Sequence, residues 1–196
     1  MNSLFLYLVT VLIWGSSWIT VKLQLGVVAP EVSVLYRFVI AAALLIAWCK
    51  LRGLSLRFSR RAHLFIAAQG ILIFSVNYVL FYFAIDYVTS GLIALAFSTI
   101  VVMNMVFGAL LLHAPIRPRV ALGAGFGIAG LALVFWHDLA AFDVRSPAIF
   151  GLGLSLLGTL SASLGNMLAA RNQLAGIPVV QCNALGMAYG AAFTLV

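Results

Sequence analysis

HLFIAAQGILIFSVNYVLFYFA, residues 63–84, runs for 22 positions without a Lys, Arg, Asp or Glu. A helix of about 20 apolar residues crosses roughly 30 Å of hydrocarbon, so this stretch is long enough to span a bilayer. Lipid offers the backbone no hydrogen bonds, and only helices and closed barrels satisfy their own amides there. The period-2 alternation of an outer-membrane barrel is absent, so a helix is expected. Its polar interruptions, Gln69 and Asn77, are carboxamides that need partners in an apolar medium.

Working outward, similar apolar stretches fall at Ser3–Gln24, Val32–Cys49, Ser90–Leu112, Val120–Trp136, Ile149–Ala170 and Val179–Val196. Of the 196 residues, 65% are hydrophobic and 8% charged, where a soluble domain carries roughly 25% charged residues. Too few charges remain to build a water-facing surface. The expected fold is an all-α membrane protein, a polytopic bundle of about seven transmembrane helices whose surrounding partner is the lipid bilayer. The first run lacks a basic leader and a clean small-residue cleavage site, so it reads as an uncleaved helix.

The net charge of +7 does not indicate nucleic acid, because the basic residues gather in short segments between apolar runs. Lys50, Arg52, Arg57, Arg60 and Arg61 follow the second span, Arg117 and Arg119 the fourth, and Arg171 the sixth. Eight of the eleven basic residues thus share one side, while Glu31, Asp86, Asp138 and Asp143 fall on the other with Arg145. The positive-inside rule then places the N-terminus in the cytoplasm of a multi-pass protein of the plasma (bacterial inner) membrane. Cys49 and Cys182 are far apart and give no metal-like spacing, so both read as packing residues with no metal or cofactor implied.

A weak internal repeat is visible. The first span, its short loop and Pro30 recur about 148 residues later as the sixth span, its loop and Pro178. Gln24 and Asn172 each stand six residues before their proline, and Lys22 and Arg171 nearly correspond. Five spans separate the copies, and an odd number reverses direction through the membrane. Inverted repeats of this kind hold a substrate between their halves near the midplane.

Trp14-Gly15-Ser16-Ser17-Trp18, Ala29-Pro30-Glu31 and Tyr36-Arg37-Phe38 resemble the EamA-type branch of the drug/metabolite transporter superfamily. Ala84-Ile85-Asp86-Tyr87-Val88-Thr89-Ser90-Gly91 and Gly127-Ile128-Ala129-Gly130-Leu131 resemble that family's fourth and fifth helices. The resemblance covers the first five spans well and the last two loosely. It implies ten helices in two inverted five-helix repeats, moving metabolites, amino acids or toxic compounds, often outward. On that plan residues 1–136 form one complete repeat, 137–148 an outer loop, and 149–196 the first two helices of an incomplete second repeat. Three helices would be missing, which implies a fragment, a truncated reading frame, or a partner chain that completes the fold. Two departures stand out: Ile100 occupies the place of the family's mid-helix proline, and Ala114, beside His113, that of its cytoplasmic glutamate.

Candidate pocket residues follow from polar groups at membrane depth. Arg37, about two turns into its span, must face a cavity, a carboxylate or carbonyls, or snorkel to the interface. It is a candidate to bind an anionic substrate group. Trp14, Trp18 and Lys22 form an i, i+4, i+8 stripe that Ser17 joins, suited to an amphipathic metabolite or to packing. Phe74, Asn77, Tyr78, Phe81 and Tyr82 cover a face about 140° wide in the third span. Ser155, Thr159, Ser163 and Asn166 make a weakly polar stripe in the sixth, although hydroxyls also bond back to their own helix. A central cavity lined by the first, third and sixth spans is therefore expected.

Gly125, Gly127 and Gly130 spell G-x-G-x-x-G, but inside an apolar span and without the strand that a dinucleotide site needs. Gly123 and Gly127 read as GxxxG helix packing instead, and Ser90 with Ala94 as a small-residue packing face. His63, His113 and His137 sit at span ends and read as interfacial, while Gln69 and Asn104 have no second feature beside them.

The leading function is a secondary transporter, in the exporting direction, for a small organic or drug-like molecule. A membrane-embedded enzyme acting on lipids is the rival, with His137-Asp138 as its single adjacent His–acid pair and no third partner. A seven-helix receptor-like or retinal protein would need a lysine in Val179–Val196, where there is none.

Overall fold

In the computed structural model residues 4–13, 29–143 and 145–195 are described. They form helices α1 (Leu4–Ile13), α2 (Pro30–Leu51), α3 (Arg60–Ile85), α4 (Ser90–Leu112), α5 (Pro118–Val134), α6 (Trp136–Ala140), α7 (Ala148–Leu174) and α8 (Val179–Thr194). No strand occurs among the described residues. The expected all-α membrane bundle is what forms: α3, α4, α7 and most of α2 are each long and apolar enough to cross a bilayer.

The helix ends follow local rules. Pro30 and Pro118 start α2 and α5, where a missing N–H costs nothing. Ser59 Oγ caps α3 by accepting from the Ala62 amide at 3.2 Å, and Thr89 caps α4 through Leu92 at 3.4 Å. Gly176, just beyond α7, takes φ 79°, a left-handed turn that suits glycine and sends the chain into α8.

The family's mid-helix proline is absent from α4, yet the helix is still interrupted, at Thr99. Two hydroxyls take the place of the ring. Ser98 Oγ donates to Leu95 O and Thr99 Oγ1 to Ala96 O, both at 2.6 Å, drawing carbonyls away from the regular ladder. Helix α3 carries a related irregularity, a π-turn over Leu72–Val76. Ser161 of α7 donates to the Leu72 carbonyl there at 3.0 Å, and Ser75 bonds Thr194 of α8 at 2.7 Å. Single π-turns of this kind recur at functional sites.

Helix α3 occupies the middle of the described bundle, with α2 and α8 on one side and α7 on another. Lipid tails are as apolar as leucine, so no hydrophobic force drives these helices together; close packing and hydrogen bonds must do it. Glycine permits the approach. Helix α7 runs antiparallel to α3, laying Gly151 against Tyr87 and Val88, Gly158 against Phe81, and Gly165 against Leu72 and Ile73. On α8, a Cβ added to Gly190 would lie 2.7 Å from the carbonyl oxygen of Gly70 on α3, so the two backbones touch.

Helix α5, by contrast, packs chiefly on α4 and exposes Leu122, Phe126, Leu133 and Val134. Among the described residues the close contact expected at Gly123 and Gly127 is not made: a Cβ at either would meet none of their atoms within 4 Å. The approach occurs at Gly70, Gly186 and Gly190, because those glycines face a neighbouring backbone and the α5 pair does not. Ser90 is exposed and Ala94 half-buried, while the tight contact at that end of α4 belongs to Gly91, against Phe135 and Asp138.

A cavity and an amide network between three helices

The face of α3 that the sequence presents as continuous is divided by its neighbours. Phe74, Tyr78 and Tyr82 turn toward α2 and α8, where they pack with Val34, Phe38 and Ala191. Phe38 meets the Phe74 and Tyr78 rings at 5.2 and 5.0 Å, and the Arg37 guanidinium lies 5.5 Å from the Tyr78 ring centre. Phe81 turns the other way, into a cluster with Ala84, Leu92 and Ile93, and its ring meets Phe97 edge-on at 5.5 Å. A face about 140° wide is broader than one packed neighbour covers, so its two edges meet different helices. Asn77 is buried too, and its Oδ1 accepts no hydrogen bond from the described residues.

In α7, Ser155 and Thr159 are fully enclosed and bond back to their own helix, to Gly151 O at 2.9 Å and Ser155 O at 2.8 Å. Ser163 and Asn166 reach across instead to Asn104 Oδ1 on α4, at 2.8 and 3.4 Å. Trp14, Ser17, Trp18 and Lys22 lie outside the described residues.

A buried polar network joins α3, α7 and α8 and centres on Gln69, which the sequence left without a role. Asn172 Nδ2 donates to Gln69 Oε1 at 2.9 Å, and the Cys182 thiol donates to the same oxygen at 3.1 Å. Gln69 Nε2 donates to Asn183 Oδ1 at 3.4 Å. Arg171 donates to Asn172 Oδ1 at 3.1 Å while its guanidinium stacks 3.3 Å from the centre of the Phe65 ring. Gln69 and Asn172 have essentially no exposed surface. Such amides hold their place because each finds partners; unpaired in a low-dielectric interior, each would cost a few kcal/mol, about 1–3. Cys182, read from sequence as a packing residue, is a hydrogen-bonding member of this network.

Beside the network lies a cavity of about 210 Å³, lined by Gln69, Ile73, Asn166, Ala169, Gln173, Val179, Cys182 and Asn183. Helices α3, α7 and α8 carry its described lining, so the seventh apolar span joins the third and sixth, while the first span's candidates lie outside the described residues. Asn166 is the member of the expected pocket set that lines it; Tyr78, Phe81, Tyr82, Arg37, Thr159 and Ser163 do not. The signal that could have found the rest is simple. Each carboxamide inside or just beyond an apolar span needs a partner, and the third, sixth and seventh spans each offer at least one: Gln69, Asn172 two residues past the sixth span's end, and Asn183.

Comparison with known proteins adds a family. Residues 1–136 match the EamA-like transporter family. Protein PagO of Salmonella typhimurium (strain LT2) is 29% identical over 108 residues, which are 55% of this chain and 36% of that protein. The match thus spans about a third of the curated relative's length. No solved structure matches.

Proposed function

The chain belongs to the EamA-like transporter family, and from that premise we propose that it is a secondary transporter carrying small organic metabolites, amino acids or drug-like compounds outward. The observation that carries the reading is a cavity with four carboxamide side chains on its walls, set among helices otherwise built for lipid. Transporter sites lie at the interface of inverted repeats, and α7 and α8 are the helices assigned here to the second repeat. Residues 1–136 serve as the first repeat and 149–196 as the start of its inverted mate. The other helices of that mate, in the same polypeptide or on a partner chain, complete the wall around the substrate. Alternating access then comes from rocking α7 and α8 against α3.

The basic loops support an orientation with the N-terminus in the cytoplasm of a bacterial inner membrane. Arg37, held over Tyr78 and not part of the cavity lining, stays a candidate for an anionic substrate group. The test is flux in proteoliposomes across a panel of metabolites, with Ala169→Phe as the probe of the cavity. Filling that wall should cut flux at least tenfold at equal protein level. Unchanged flux would remove the cavity from the transport path.

A further inference from the structure

One wall of the cavity has its hydrogen-bond polarity set by a cation that does not line it. A carboxamide turned end over end keeps its shape and exchanges donor for acceptor. Arginine has no such freedom, since a guanidinium only donates. Arg171 donates to Asn172 Oδ1, so the Asn172 nitrogen must face Gln69 and donate to its oxygen. The Gln69 nitrogen must then face α8, where it donates to Asn183 Oδ1. Three amides in series pass the orientation along, and Asn183, which lines the cavity, keeps an Nδ2 that donates to none of the described residues.

The α7 wall carries no such lock. Asn166 and Ser163 meet at Asn104, and a hydroxyl serves as donor or acceptor, so both amides can turn over together and keep both bonds. Among the described residues no Lys, Arg, Asp or Glu lines the cavity, so a net charge brought against these walls finds no opposite charge to offset its desolvation. Its volume of about 210 Å³ is below the roughly 300–1,000 Å³ usual for drug-sized ligands.

We propose that this cavity takes a small neutral solute by a carbonyl group, with Asn183 Nδ2 as the fixed donor and Asn166 as an adaptable second contact. Arg171 is a positioning residue, setting that polarity through Asn172 and Gln69. The inference rests on the cavity being the substrate site and narrows what it carries.

Benzamide, benzoate and benzamidinium test it, because they share one outline and differ in what the planar group offers. The first has an acceptor and a donor, the second acceptors with a negative charge, the third donors with a positive charge. Binding to the purified protein in detergent, by calorimetry, should favour benzamide at least tenfold over either ion. Asn183→Asp still accepts from Gln69 but shows the cavity an acceptor, so the order should reverse toward benzamidinium. Arg171→Met frees the series to turn over and show the cavity an acceptor, which should narrow the gap between benzamide and benzamidinium while leaving benzoate disfavoured, and Arg171→Lys, which also only donates, should restore the gap. A merely structural Arg171 would weaken all three probes alike.

Lack of saturable binding by any probe, preference for benzoate, or an order unmoved by Asn183→Asp would overturn the proposal. So would failure of lysine to rescue where methionine fails. The two readings fail separately. An unmoved probe order with flux abolished by Ala169→Phe sinks only the polarity argument. Normal probe discrimination with flux indifferent to Ala169→Phe sinks the transport path.

Discussion

Helices α5 and α8 both carry glycines four residues apart, and they use them in opposite ways. Gly123 and Gly127 of α5 face open space, whereas Gly186 and Gly190 of α8 lie on the backbone of α3 at Gly70. The difference is in the neighbour, not in the motif. Around Gly70, α3 also offers Gln69 and Ser75, which bond Asn183 and Thr194 of α8. In a medium that gives apolar side chains no reason to associate, close approach and hydrogen bonds together hold two helices. Where both are present the pair closes; α5 has the glycines and, among the described residues, no side-chain hydrogen bond to a neighbouring helix.

The contrast can be broken most forcefully at α8. Gly190→Leu sets a side chain against the α3 backbone, which cannot step aside, and should cost about 3 kcal/mol or more. Thermal unfolding in detergent should show loss of the folded state; a normal transition would mean the α3–α8 contact does not exist. Gln69→Leu leaves the glycines in place and removes one acceptor shared by two donors, and the donor to Asn183. A loss of about 1–3 kcal/mol in the same measurement is expected, and full stability would show the network to be ornamental. Gly127→Leu adds the same bulk as the first change where there is nothing to strike. Its effect should stay within about 0.5 kcal/mol, and a large one would reveal a helix seated on α5.

Much of this was legible in the residues. Apolar run length located α2 to α5, α7 and α8 to within about four positions, whereas the short α6 falls where an outer loop was expected. Motif order from Trp14 to Leu131 pointed to the same family that matches residues 1–136. The interior of the bundle was harder to read. Asn166 was recognised as a cavity residue, but Gln69, Asn172, Cys182 and Asn183 were not, because none of them forms a polar stripe at helical spacing within its own span. Their meaning is pairwise, and helical periodicity within one segment says nothing about pairs. The stripe from Phe74 to Tyr82 shows the converse error, a single face in projection that the fold divides between two clusters.

By itself, the order of side chains determined that this polypeptide lives in lipid as helices, since 65% hydrophobic residues and 8% charged ones leave backbone self-satisfaction as the only option. Tertiary structure alone decided which glycines touch, where the carboxamides meet, and that Arg171 faces Asn172. Hydrogen bonds and van der Waals contacts act over a few ångströms, so they arise only once particular helices lie side by side, whereas the preference for lipid sums over every residue regardless of neighbours.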